Sequence, residues 1–337
     1  MFRNRFVDVL KGIFIIFVLI THTWIEPSTR NLFGFPFWVD MAVPVFMLIS
    51  GYVSAYSIER NGDAAIEKAY ETRQIIRKVL RFVIPFSMAF VAEWIVLRCF
   101  GIYTVGIKEY GIFAFLLYFL RGGAGQGSYY FPLMIQFIFL FPIIYYFIKK
   151  YELKGLIGCF CVNGLYEVLK IAYGMTDYEY RLLVFRYLFI IAAGCYIAIG
   201  NWQKISIGKR IVSSSICVVI GLGFIYLFSY TQYVPKVITF WSTTSFLVCL
   251  YLVPIFGILL TKVRFGFKPL ELVGKAAFNI LLVQKIYYIF LEKTYEIIPN
   301  VCVHLIVSIV NCVAVGVIFY LLESKLTKYI LEKKHNK

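Results

Sequence analysis

Long apolar runs alternate with short polar stretches along almost the whole chain. Ten runs read as helices: 7–25, 38–58, 79–100, 129–148, 155–173, 181–200, 210–230, 241–261, 270–290 and 301–322. Each approaches the roughly twenty residues that a helix rising 1.5 Å per residue needs to cross a hydrocarbon layer. Several contain Gly or Pro, which membrane helices tolerate better than soluble ones. A further run, GIFAFLLYFL at 111–120, is too short to cross and predicts a re-entrant or interfacial helix. The most polar stretch, ERNGDAAIEKAYETRQIIRKVLR at 59–81, predicts an amphipathic helix at the inner interface that runs into the third span. The pattern as a whole predicts an all-α, polytopic membrane helix bundle of about ten spans. Connections are short and no repeat or low-complexity linker is evident, so residues 1–337 read as one membrane-embedded domain without a separate soluble one.

Composition agrees. Of 337 residues, 61% are hydrophobic and 15% charged, where a soluble domain is about half apolar and about a quarter charged. Mean hydropathy is +0.79. A net charge of +16 in a soluble protein would suggest nucleic acid. Here the Lys and Arg residues sort by side of the membrane. With the N-terminus inside, most of the 34 fall in inner segments, which predicts both termini in the cytoplasm, contacts with membrane lipids and no nucleic-acid partner. The expected location is the cell membrane. The eight cysteines lie mostly within apolar runs. Cys159 and Cys161 form C-x-C with no second pair at a zinc-like spacing, so all eight read as small buried hydrophobes and no metal site is expected. The first apolar run lacks a small-residue cleavage site and is expected to stay as the first span.

Two polar stretches admit competing readings. The basic 59–81 stretch is either an ordinary positive-inside loop or a cytoplasmic site for a phosphorylated ligand. RGGAGQGS at 121–128 has the glycines of a phosphate-binding loop, but no strand precedes it and no Gly-Lys-Ser/Thr follows; a flexible outer loop is expected.

The first span carries ionisable groups. Lys11 and His22 are eleven residues apart, about 1100° of helical rotation, so they share a face about 16 Å apart along the axis. Asp8, Lys11, Ile15, Val18 and His22 form one stripe, and ionisable groups in a span are costly unless they face protein or water. Lys11 alone is equally well read as snorkelling to the inner surface, and Asp8 as its i, i+3 partner. His22 reads either as a satisfied interfacial histidine or as a proton-transfer group. His304 and His335 sit in less suggestive places. Arg186 lies within the sixth run and is expected to line the central cavity, with Lys285 and Glu93 weaker candidates of the same kind.

Several of these residues stand in ordered motifs. RFVDVLKGIFIIFVLITH, with Asp8, Leu10, Lys11, Gly12 and then His22, resembles the opening of the acyltransferase 3 family of integral membrane acyltransferases. VPVFMLISGYVSAYS resembles that family's Phe-x-x-Ser-Gly-aromatic signature, at Phe46 or Met47, Ser50, Gly51 and Tyr52. IIRKVLRFVIPF, SYYFPLMIQFIFLFP and LVGKAAFNILLVQKIYY resemble its later blocks. The resemblance covers roughly residues 5–295. Two departures stand out: Ser128, Tyr129 and Tyr130 replace a His-x-Trp block common among relatives, and Gln284 stands where many have histidine. His22 is then the one histidine in a matching motif.

The resemblance implies transfer of an acyl group, usually acetyl, from cytoplasmic acyl-CoA to a hydroxyl of an extracytoplasmic or lipid-linked glycan. The donor site would draw on Asp8, Lys11, Ser50, Tyr52, Arg77 and Arg81, since arginine forks and lysine charges suit phosphates. Gly51 is expected to let the pantetheine arm approach closely. His22 would act as general base or transient acyl carrier; Asp40 or Glu26 could orient it, or either could be a solvated interfacial carboxylate, the favoured reading for Glu26. The rival class is a glycan or lipid-linked-sugar transporter or flippase, since broken helices and buried charges also occur in transporters.

Overall fold

The computed structural model describes residues 4–62, 66–102, 111–231 and 246–333. His335, residues 63–65 of the polar stretch, 103–110 of the outer loop and the first five residues of the 241–261 run lie outside the described residues. Among the described residues there is no strand.

Helix α1 (Arg5–His22) starts where the Asn4 side chain accepts the Phe6 N–H at 3.2 Å, and ends at Thr23, which is extended. After two short helices follow α2 (Ala42–Asn61), α3 (Thr72–Cys99, with Pro85 inside), and α4 (Ile112–Arg121). Next come α5 (Tyr130–Ala172), α6 (Leu188–Ala198), α7 (Ile207–Tyr230) and α8 (Leu252–Lys262). The chain ends with α9 (Lys268–Lys275), α10 (Ala277–Tyr287) and α11 (Val301–Lys333). The short α4 is the sub-span helix expected from GIFAFLLYFL.

Helix α5 is two arms. Glu152 is its one non-helical residue, with φ 47° and ψ −119°. Gln136 in the first arm donates to the Leu182 carbonyl, and Tyr166 in the second to that of Tyr180. A straight helix would hold residues 136 and 166 about 45 Å apart. The chain therefore reverses at Glu152, and the runs 129–148 and 155–173 lie antiparallel.

Among the described residues, five helices are long and apolar enough to cross a membrane, or six if α9 and Ala277–Ile297, bent by 67°, count as one broken span. That is fewer than the ten hydropathic runs. The two arms of α5 are one element in that count, and α1 carries Arg5, Asp8 and Lys11. Residues 184–198 and 248–262 form only short apolar helices. Ion pairs keep to one side each. Arg5–Glu271, Lys149–Glu59 and Lys204–Glu152 join segments assigned to the inner side, whereas Arg30–Asp40 and Lys170–Asp177 join outer ones.

Two reciprocal glycine contacts set the bundle around α1 and α6. A Cβ on Gly12 would collide with the Leu270 carbonyl, and one on Gly274 with that of Asp8, so α1 and α9 touch backbone to backbone. Likewise Gly51 meets the Ile191 carbonyl and Gly194 that of Leu48, which brings α2 against α6. Small residues allow such approach between membrane helices. This corrects the reading of Gly51: the space its missing side chain leaves is filled by helix α6, not by a ligand arm. Residues Leu188–Ile197 are all buried, so α6 forms the centre of one half of the bundle. Helices α7 and α11 expose much of their apolar surface, as lipid-facing helices do. Of the eight cysteines expected to be buried, Cys159, Cys195, Cys249 and Cys312 are buried, Cys217 is half-buried, and Cys99, Cys161 and Cys302 are exposed.

Candidate active site

The stripe on α1 faces protein. Lys11, Ile15, Val18 and His22 line one cavity of about 180 Å³, closed by Ser50 and Phe46 of α2, by Tyr129, Tyr130 and Gly127, and by Phe278 and Leu281 of α10. Lysine marks one end of that wall and histidine the other. Asp8, on the same face, lines the adjoining space instead.

At the Lys11 end the cavity meets three wider ones. A cavity of about 410 Å³ shares Lys11, Ser50 and Phe82 with it and adds Lys78 and Arg81. One of about 850 Å³ shares Phe82, Phe278 and Lys275 and is lined by Arg77, Arg81, Lys328, Glu323 and Glu332. One of about 740 Å³ shares Lys11 and is lined by Asp8, Tyr52, Tyr56, Arg60 and Arg264. The Tyr52 and Tyr56 rings are nearly parallel, with centroids 6.2 Å apart. The six residues expected at the donor site are thus grouped about Lys11, but in three adjoining cavities. Asp8 and Tyr52 share one, Lys11, Ser50 and Arg81 share another, and Arg77 joins Arg81 in the third. A narrow apolar channel opening onto wide basic cavities suits a thin arm with a polyanionic head.

At the His22 end stands the glycine loop, which is not the flexible segment expected. The buried Glu93 carboxylate of α3 accepts the backbone N–H groups of Ala124 at 3.1 Å and Gly125 at 2.8 Å through Oε1. Its Oε2 lies 3.3 Å from Lys285 Nζ of α10, and Lys285 also donates to the Gly122 carbonyl. Both charged side chains are buried, at 4% and 2% exposure. The loop is therefore pinned to the bundle by an ion pair whose hydrogen bonds offset the cost of burying it. Lys285 and Glu93 serve that loop and do not reach the His22 cavity lining.

The Gln126 side chain, on this loop, lies beside the His22 ring and interacts with it. Arg181 and Arg30 lie within electrostatic reach. The His22 ring also lies 6.4 Å, centroid to centroid, from Tyr288, whose hydroxyl donates to the Leu19 carbonyl at 3.0 Å. Asp40 does not take the place proposed for it. Its carboxylate accepts from Arg30, and no hydrogen bond joins it to His22. Arg186 departs from expectation too. It sits in a 3₁₀ turn (Val184–Tyr187) before α6, buried, with its guanidinium 4.8 Å from the Tyr180 ring centroid and 5.1 Å from that of Tyr187. Aromatic faces accommodate its charge, and it is not part of the His22 cavity lining. Gln126, Lys275 and Phe82 were not singled out from the sequence. A loop glutamine and a lone helix-end lysine carry no periodic signal; only the fold brings Lys275 and Phe82 to the cavity and Gln126 beside His22.

A family model described as "Acyltransferase domain", that of the acyltransferase 3 family, matches residues 4–321. No curated protein and no solved structure matches the chain significantly. The match spans both ends of the His22 cavity, the glycine loop and every helix up to most of α11. The chain belongs to the acyltransferase 3 family and is a membrane acyltransferase.

Proposed function

We propose that the protein transfers an acyl group, usually acetyl, from cytoplasmic acyl-CoA to a hydroxyl of an extracytoplasmic or lipid-linked glycan. The observation that carries this reading is the channel itself, a narrow cavity with His22 at one end and wide basic cavities at the other. The nucleotide and its phosphates fit the basic cavities, where Arg77, Arg81 and Lys275 supply charge-assisted hydrogen bonds. The pantetheine arm fits between Lys11 and His22, along Ile15, Val18 and Phe46. This brings the thioester to the outer end of the channel.

There His22 acts as general base. The acceptor oxygen attacks the thioester carbonyl carbon as its proton passes to His22. A C–O bond forms and the C–S bond breaks. The CoA thiolate leaves and takes the proton back from His22, so the ring is regenerated. Gln126, whose side chain interacts with the ring, takes the orienting role considered for Asp40. Lys11, at the other end, meets the anionic part of the donor.

Purified protein supplied with labelled acetyl-CoA and a panel of lipid-linked and free glycans tests the reading. Covalent label on a glycan, with release of free CoA, is expected. Movement of unmodified glycan across vesicle membranes without label transfer would replace this reading with a carrier.

A further inference from the structure

Gln284 is fully buried on α10, yet neither its Nε2 nor its Oε1 has a hydrogen-bond partner among the described residues. Buried polar groups in native proteins are almost always paired, so an orphan amide calls for a cause. Its surroundings point to one. The position that a Cβ on Gly127 would occupy lies 3.8 Å from Gln284 Nε2, 3.9 Å from His22 Nε2 and 3.5 Å from Leu281 Cδ1. One small space, left open because residue 127 is glycine, is thus flanked by an unpaired amide and by the histidine ring. The amide cannot easily turn away, because the next residue, Lys285, is tied to Glu93 and Gly122.

We infer that Gln284 is a second catalytic residue, which donates a hydrogen bond from Nε2 to the acceptor's hydroxyl oxygen while that hydroxyl points its proton at His22 Nε2. This rests on the reading of His22 as base. The oxygen between the two groups must be the one that carries the transferable proton, which makes it the acceptor's and not the thioester's. The space also lies beneath the glycine loop, at the end of the channel away from the basic cavities. In the reaction Gln284 neither gains nor loses a proton. It fixes the attacking oxygen while the C–O bond forms, the C–S bond breaks and the proton moves by way of His22 to the thiolate.

The test is Gln284→Met in the full-length protein in detergent. Methionine keeps the volume and removes the donor. Acetyl-CoA is the donor, octyl hexosides and water are the probe acceptors, and free thiol is the readout. The acceptor kcat/KM should fall about 10- to 100-fold, with the KM for acetyl-CoA unchanged. The melting temperature should hold or rise, because an unpaired amide has been replaced by an apolar group. A lower melting temperature would show that the amide already has a partner, such as a buried water, and belongs to the scaffold. An unchanged acceptor kcat/KM would overturn the inference equally. His22→Ala separates the two readings. If it is inactive while Gln284→Met matches the parent, only the role of Gln284 fails; if His22→Ala stays active, the base itself is misassigned.

Discussion

Lys285 Nζ stands 3.3 Å from Glu93 Oε2, both side chains are buried, and the other oxygen of that carboxylate holds the backbone of Ala124 and Gly125. A charge pair on α3 and α10 thereby fixes the loop that carries Gln126 and Gly127 to the His22 ring. Removing one partner leaves the other buried and uncompensated. Lys285→Met should lower stability by about 3–5 kcal/mol, read as thermal unfolding in detergent. Adding Glu93→Gln, which keeps an acceptor for the loop N–H groups, should restore most of that loss. Equal instability of the single and double variants would contradict the pair's role.

Arg77 and Arg81 line the widest of the basic cavities. With both changed to Ala, the apparent KM for acyl-CoA should rise by about tenfold or more, on the scale of a lost hydrogen bond to a charged group. The KM for the acceptor should stay nearly constant. An unchanged donor KM would place the nucleotide in the neighbouring cavity lined by Tyr52, Tyr56 and Arg264.

Gly51 separates a packing role from a ligand role. Gly51→Ala drives a methyl group into the Ile191 carbonyl, and overpacking of this kind costs about 1–3 kcal/mol. Thermal unfolding should show the loss, and the folded fraction should keep its KM for acyl-CoA. A donor KM raised at full stability would return Gly51 to the donor site.

The apolar runs and the α1 stripe were legible in the sequence because both rest on local periodicity. Every run has its helix or helices, and the eleven-residue spacing does place Lys11 and His22 on one cavity wall. What was not legible depends on contacts distant in the chain. RGGAGQGS has the composition of a flexible loop, but Glu93 and Lys285, about thirty and one hundred and sixty residues away, hydrogen-bond its backbone. Asp40 looked available to His22 because both lie at outer helix ends, but Arg30, ten residues before it, takes the carboxylate. Gly51 carried a family motif whose structural meaning was a helix contact with Ile191.

Gly127 has φ +79°, and a Cβ there would point between His22 and Gln284. Gly127→Ala should therefore cost about 1–2 kcal/mol through the left-handed backbone and also fill the space assigned to the acceptor hydroxyl. Acyl transfer should fall further than the loss of folded protein explains. Transfer that simply tracks the folded fraction would show that the space is not used.

His22 supports the central claim, and its replacement is the most direct test. His22→Ala should unfold at nearly the parent temperature in detergent and bind acyl-CoA with an unchanged affinity. Its transfer of label from acetyl-CoA should fall about 10²- to 10⁴-fold, the usual contribution of a general base. Full transfer activity in that variant would remove histidine from the chemistry and contradict the account.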